Sequence, residues 1–292
     1  MSRWTYDEAR QKDIAVLEIT TRLGCPVACT YCPQGKITKA YQKRSSVGTL
    51  SFETFEQCLA KVPQDVHLVF GGMAEPWLNS ECTPMVLKAH ERGHTIGIDT
   101  TLTGMDVKDV EAIQGIPFWY FAVHLPTKEG YEKIRVDEHY LSVVRALEAS
   151  RIGAVYRLYG GTLHPELSFL KYEEEPLNSR AGNVAIEGLP SEKRIPGRIR
   201  CGRNLIWNVL LPNGDVVICS SDYGMKHVLG NLKESTYESL FRSDEFLKVQ
   251  RGMKDPKEDI LCRYCYRYTF KDDWRMRLRE YLAAFFRKRP SR

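Results

Sequence analysis

Five short apolar runs punctuate the first half of the chain: IAVLEIT (14–20), VHLVFGG (66–72), HTIGIDTT (94–101), FWYFAVHL (118–125) and AVYRLYGG (154–161). Between them lie SFETFEQCLAKV (51–62), TPMVLKAHERG (83–93) and EHYLSVVRALEASRIG (138–153), whose apolar residues recur at helical spacing. This alternation predicts parallel βα units. Each strand-to-helix loop then falls at the C-terminal edge of the sheet, where α/β barrels gather their chemistry. From about residue 165 the rhythm gives way to a stretch rich in Pro, Gly and charge, read as the end of the barrel and a bridge. Beyond it, NLIWNVLLPNGDVVICSSD predicts a hairpin turning on Asn-Gly, and TYESLFRSDEFLKVQRGM predicts a helix. The expected division is a barrel over 1–165 with its core from residue 14, a bridge over 166–200, a small hairpin-plus-helix unit over 201–270 and a tail over 271–292.

A chain of 292 residues with 43% apolar and 11% aromatic content buries a substantial core. The N-terminus carries no hydrophobic leader and no stretch is long enough to cross a bilayer, so a cytoplasmic protein is expected. The net charge of +5 is concentrated after residue 270, which argues against a broad nucleic-acid-binding face. The tail WRMRLREYLAAFFRKRPSR reads as a terminal helix with a solvated basic side, and as an alternative a helix lying on an anionic membrane.

Nine cysteines, an odd number with seven in tight groups, point to metal rather than a disulfide framework. Cys25, Cys29 and Cys32 stand in GCPVACTYCPQ, directly after the first expected strand, with spacing C-x3-C-x2-C. Three thiolates on one loop hold three corners of a cubane cluster and leave the fourth iron open. The amino and carboxylate groups of S-adenosylmethionine (SAM) can chelate such an iron. Zinc is the alternative, but it wants a fourth Cys or His nearby, and the next His is His67. The triad, with an aromatic Tyr31 before its last Cys, resembles the signature of the radical SAM superfamily. That resemblance implies a partial (β/α)6 barrel and a [4Fe-4S] cluster that binds SAM. It also implies that Tyr31 packs near the adenine and that Gly71, Gly72, Met73, Glu75 and Pro76 of GGMAEP bind the methionyl amino group. This copy has one extra residue, Ala74, before Glu75. Asp99, Thr100, Thr101 and Thr103 are weaker candidates for the ribose or methionine carboxylate, and His124 for the cavity wall.

Near the C-terminus, Cys201 and Cys219 frame C-x12-G-x4-C through Gly214, and Cys262 and Cys265 form C-x2-C. Four thiolates so spaced can ligate a second cluster or a structural zinc, and the spacing alone leaves both open. The pattern is similar to the first half of the SPASM domain. Lys271 stands where the next Cys of that domain falls, which implies the shortened twitch form with one auxiliary [4Fe-4S] cluster.

Chain size and the Cys201–Cys219 interval resemble aminocyclitol (2-deoxy-scyllo-inosamine) dehydrogenase-type enzymes. The implied reaction is two-electron oxidation of a secondary alcohol of a sugar or aminocyclitol-like molecule, with the auxiliary cluster accepting an electron. An external one-electron reductant such as flavodoxin or ferredoxin is implied too. The resemblance makes Arg180 the candidate contact to the reacting hydroxyl, as a hydrogen-bond donor rather than a base. A radical SAM epimerase is the alternative, with Cys82 as hydrogen donor. A module holding zinc in both cysteine groups is a further alternative of a different class.

Overall fold

The computed structural model describes residues 14–185 and 193–271. The first five apolar runs each form a strand: β1 (Val16–Ile19), β2 (His67–Phe70), β3 (Ile96–Thr100), β4 (Tyr120–His124) and β5 (Ala154–Leu158). They pair in parallel in chain order, each register advancing without a bulge. A sixth strand, β6 (Glu173–Glu174), extends the sheet from within the expected bridge. Both of its residues are exposed, so no apolar run announces it.

Five helices accompany these strands; the last four cover the main core, and the first packs Ile37 and Tyr41 against Val209, Leu211 and Val217 in a second cluster. The five are α1 (Gln34–Gln42), α2 (Phe52–Leu59), α3 (Cys82–Glu91), α4 (Val107–Ile113) and α5 (Glu138–Ala149). Ser51 Oγ caps α2 by accepting from Thr54 N, Asp137 caps α5 by accepting from Tyr140 N, and Asp106 with Asp109 forms a capping box on α4. The core between the last four helices and the sheet holds Leu17, Ile19, Phe55, Phe70, Val86 and Leu147, all at most 1% exposed.

After β7 (Ile199–Cys201), the expected hairpin forms as β8 (Trp207–Leu210) and β9 (Asp215–Val217). Its loop Pro212–Gly214 places Gly214 at φ +91°, and an added Cβ there would stand 2.6 Å from Asn231 Oδ1. The hairpin does not stand apart from the barrel. β8 pairs in parallel with β1, so the sheet runs unbroken across residue 201 in the order β10-β9-β8-β1-β2-β3-β4-β5-β6, with β10 (Val228–Asn231) at one edge. The helix expected over TYESLFRSDEFLKVQRGM is split into α6 (Tyr237–Leu240) and α7 (Asp244–Lys254), because Ser243 turns out of the helix and caps α7 by accepting from Phe246 N. β11 (Thr269–Lys271) returns to pair with β7. No described helix is long and apolar enough to cross a membrane. The basic tail lies outside the described residues.

Candidate active site

The C-terminal ends of the strands surround one cavity of about 360 Å³. Cys25, Cys29 and Cys32 line one of its walls, on the loop that leaves β1. That loop is docked on the segment after β4 by Thr30 N donating to Tyr131 O (2.8 Å) and Lys133 N to Val27 O (2.7 Å). Tyr31 lines the cavity with its hydroxyl given to Glu132 Oε1 (2.6 Å) and its ring stacked on Tyr159 at 5.8 Å. Burial, and then the neighbouring Cys32, pushes the Cys29 thiol up to about 12. Burial likewise raises Cys25. Thiols crowded in this way ionise readily only with a cation between them.

Gly71 and Gly72 at the end of β2 bring backbone to the same cavity. Gly72 has φ +63°, and an added Cβ would strike Thr20 Oγ1, while one on Gly71 would lie 2.9 Å from Asp99 Cβ. Left-handed backbone costs a residue with Cβ about 1–2 kcal/mol before any clash is counted. Gly72→Ala is therefore expected to push the 71–76 segment out of place and weaken SAM binding at least about tenfold, read by equilibrium dialysis.

Glu75 lines the cavity and also ties its walls together. Its side chain is 4% exposed and accepts four hydrogen bonds: from Thr100 Oγ1 (2.7 Å), Trp77 N (3.2 Å), Thr101 N (2.6 Å) and Thr101 Oγ1 (2.8 Å). Four donors fill the lone pairs of a carboxylate. Glu75 thus ties the end of β2 to the end of β3, and the same bonds occupy the Thr100 and Thr101 hydroxyls. Thr101 Oγ1 also lies 3.0 Å from Thr103 Oγ1, which donates to it because the Thr101 proton is given to Glu75. What this segment turns to the cavity is backbone around Gly71–Ala74, with Met73 O accepting from Gln34 Nε2 and Pro76 O from Thr21 Oγ1 (2.7 Å).

On the opposite wall, His124 Nε2 lies 3.6 Å from Asp99 Oδ1, and Asp99 Oδ2 accepts from Tyr120 OH (2.8 Å). Burial alone would raise the Asp99 pKa, but His124, Tyr120 and Arg157 outweigh it and lower it. Arg180 enters the cavity from a strained turn, with φ +48° at Arg180 and +56° at Ala181. Such backbone persists only where neighbours hold it. Here Asn178 Oδ1 accepts from Arg180 N (3.0 Å), and Asn183 Nδ2 donates to both Arg180 O (2.5 Å) and Ser221 O (2.8 Å). Burial would lower the Arg180 pKa, yet Tyr223, Cys32, Tyr159 and Glu18 around it raise it, so the guanidinium stays charged.

Cys82 is not brought to the cavity. It opens α3, is 0% exposed within the main core, and burial drives its thiol pKa well up. Cys58 is packed in the same core.

The second cysteine group rings a separate cavity of about 30 Å³, lined by Cys201, Cys219, Cys262 and Cys265. Arg263, between the last two, is 0% exposed and donates to five carbonyls: Glu258 (3.2 Å), Ile195 (3.0 Å), Gly197 (2.9 Å), Gly252 (2.6 Å) and Asp255 (2.7 Å). On the other side His227 Nε2 accepts from Leu261 N (3.0 Å) while its Nδ1 meets Glu245 Oε1 at 2.7 Å. Both devices fix the loop that carries Cys262. Among the described residues no three Cys, His, Asp or Glu side chains converge tightly enough for a single ion. Thiols spread around a cavity suit a cluster, which takes one thiolate at each separate iron.

Arg203, Trp207, Ser220, Ser221 and Tyr268 line both cavities and form the wall between them. The Arg203 guanidinium lies 3.6 Å from the Trp207 ring centroid and 3.8 Å from that of Tyr268. Sequence reasoning missed this wall, and with it Glu18, Tyr159 and Tyr223. Glu18 alone had a visible signal, a charge inside an apolar strand.

Residues 201–266 match the SPASM family, an iron–sulfur cluster-binding domain. The fold is shared with BtrN in complex with AdoMet and 2-DOIA (18% identity, TM-score 0.58, 84% of this chain and 88% of that one). It is shared also with anSMEcpe bound to AdoMet and the Kp18Cys peptide (17%, 0.56, 93% and 97%). Streptococcus suis SuiB bound to the precursor peptide SuiA is similar as well (11%, 0.58, 82% and 66%). These likenesses show the α/β fold expected from the sequence, a mostly parallel sheet with helices followed by a SPASM-like region. Probable dual-specificity RNA methyltransferases RlmN are similar over shorter stretches. The Fervidobacterium nodosum protein is 26% identical over 120 residues, 39% of this chain and 34% of its own. The Treponema pallidum (strain Nichols) protein is 29% identical over 80 residues, 27% of this chain and 23% of its own. The chain thus spans about a third or less of the length of these curated relatives.

Proposed function

We propose that this chain is a radical SAM oxidoreductase that oxidises a secondary alcohol of a sugar or aminocyclitol-like molecule. The observation that carries the reading is a single cavity bounded on one side by the Cys25–Cys29–Cys32 loop and on another by the wall of the four-cysteine site. Cys25, Cys29 and Cys32 would hold one [4Fe-4S] cluster, and Cys201, Cys219, Cys262 and Cys265 another. With SAM bound, these groups supply an adenosyl radical that abstracts a carbon-bound hydrogen, and an acceptor for the second electron of the oxidation.

The protein's own contribution is placement. The Gly71–Ala74 backbone and Tyr31 shape the SAM side of the cavity. Glu75, saturated by its four donors, holds the two strand ends at fixed spacing. Arg180 is already protonated and cannot accept a proton, and its guanidinium is suited to orient a substrate oxygen and stabilise negative charge growing on it. An external one-electron reductant such as flavodoxin or ferredoxin completes the cycle. Epimerisation needs a hydrogen donor beside the substrate, and Cys82 is sealed in the core. Cys82→Ala is accordingly expected to leave turnover within about twofold of wild type while lowering stability by about 1 kcal/mol, checked by parallel activity and melting measurements.

The reading is tested by anaerobic purification followed by a panel of sugars, aminocyclitols and peptides assayed for 5′-deoxyadenosine release. About eight irons per chain, and a ketone formed together with deoxyadenosine from an alcohol of the panel, are expected. Colourless zinc-loaded protein, or a product with inverted stereochemistry and no ketone, would overturn it.

A further inference from the structure

Alcohol oxidation requires a group that takes the hydroxyl proton, and three carboxylates line the cavity: Glu18, Glu75 and Asp99. Glu75 is filled by its four donors. Asp99 is engaged by Tyr120 and faces His124. Glu18 is different. It stands in the middle of β1, where period-two alternation sends Leu17 and Ile19 into the core and Glu18 toward the cavity. The residue is 8% exposed, and it accepts one long hydrogen bond, from Ser220 Oγ at 3.2 Å. Its nearest cation, Arg203 Nη1, is 3.9 Å away, beyond hydrogen-bond reach. Ser220 and Arg203 both belong to the wall shared with the four-cysteine cavity, and Ser220 directly follows Cys219.

Resting on the alcohol-oxidation reading, we propose that Glu18 is the proton acceptor of this site, taking the substrate's hydroxyl proton as the electron crosses the shared wall to the auxiliary cluster. After hydrogen abstraction at carbon, the O–H bond breaks, its proton goes to a Glu18 oxygen, its electron goes to the auxiliary cluster, and the carbon–oxygen double bond is completed. Charge and mass balance with no further reactant. A proton and an electron arriving on either side of one thin wall stabilise each other, so protonation of Glu18 and reduction of the auxiliary site are linked.

The charge environment agrees. Burial raises the Glu18 pKa to about 7, against the lowering pull of Arg203, with Asp99 raising it further and Ser220 and Arg180 lowering it. Tyr120, Tyr223 and Tyr268 also face it from β4 and the C-terminal region. A carboxylate titrating near neutrality can both accept a proton and release it again in each turnover.

The test needs no substrate. The auxiliary cluster of the anaerobically purified holoenzyme with SAM is titrated by EPR-monitored potentiometry from pH 6 to pH 8, in wild type, Glu18→Gln and Glu18→Asp. In wild type and Glu18→Asp the midpoint potential is expected to fall as pH rises, by at most about 59 mV per tenfold change in proton activity. In the isosteric Glu18→Gln it is expected to be flat. A flat wild-type titration overturns the proposal without recourse to any variant, and so does a slope retained in Glu18→Gln with full iron content. Turnover on any alcohol that the panel identifies is expected to rise with pH through about 7 in wild type, and to fall at least about a hundredfold in Glu18→Gln. Absence of a second cluster would defeat the functional reading itself, whereas two clusters with a pH-independent potential defeat only the role of Glu18.

Discussion

Changing Cys29 to Ala is expected to abolish formation of 5′-deoxyadenosine from SAM, by at least about a thousandfold, while leaving the four-cysteine site loaded. Cys25, Cys29 and Cys32 share one short segment, tied internally by Cys32 N donating to Cys29 O (2.9 Å) and docked on the 131–133 segment by Thr30 N to Tyr131 O (2.8 Å) and Lys133 N to Val27 O (2.7 Å). The two carboxylates that neighbour the triad among the described residues, Glu75 and Glu132, are both committed to donors of this chain. Removal of one thiolate thus leaves two iron corners without protein ligands. Iron content is expected to drop from about eight to about four per chain, and the melting temperature to change little, since Cys29 belongs to none of the core clusters. Retained deoxyadenosine release in this variant would contradict the assignment.

The second large effect lies outside the catalytic cavity. Arg263→Met removes the shared guanidinium from five backbone carbonyls. Asp255 O keeps Glu258 N (3.3 Å) and Glu258 O keeps Arg194 Nη2 (2.6 Å), so the loss falls on the carbonyls of Ile195, Gly197 and Gly252. A buried carbonyl without a donor costs about 1–3 kcal/mol, so three left bare cost at least about 3 kcal/mol. The damage is directed. The carbonyls belong to the end of α7 and the segments around 195–197 and 255–258, which frame the loop bearing Cys262 and Cys265. Iron is again expected to fall by half, this time through the auxiliary site, with a clear fall in melting temperature. SAM binding at the triad should survive. Equal loss of both clusters would instead mean that the two regions unfold as one unit.

These two sites were unequally visible in the sequence. The cysteine groups were legible because ligand spacing is local: C-x3-C-x2-C and C-x2-C each put their thiols within one loop, whatever the rest of the chain does. The first five strands were legible for a similar reason, since strands of a parallel sheet covered on both faces read as nearly continuous apolar runs. The charged β6 was not, because it is two exposed glutamates paired with the last strand of the barrel. Nor was the pairing of β8 with β1, which joins residues about 190 positions apart, such as Val16 with Trp207. Sequence spacing is silent on contacts of that range.

The cavity's interior was harder still. Glu75 looks in the sequence like a free carboxylate beside a ligand, and only the folded chain brings Thr100 and Thr101 to consume it. Glu18 looks like one irregularity in an apolar run, and its meaning depends on Ser220 and Arg203 arriving from the far end of the chain. Arg263 reads as an ordinary spacer between two cysteines. In each case the role is set by partners that tertiary structure supplies.

The central claim is that Cys25, Cys29 and Cys32 present an iron site to SAM. Its most direct test is the EPR spectrum of the dithionite-reduced protein with and without SAM, recorded for wild type and for the variant with all three cysteines changed to Ala. The expected result is two overlapping cluster signals in wild type, one of which shifts when SAM is added, and in the variant a single signal indifferent to SAM. A wild-type spectrum unchanged by SAM, or a SAM-sensitive signal that persists without the three thiols, would contradict the account.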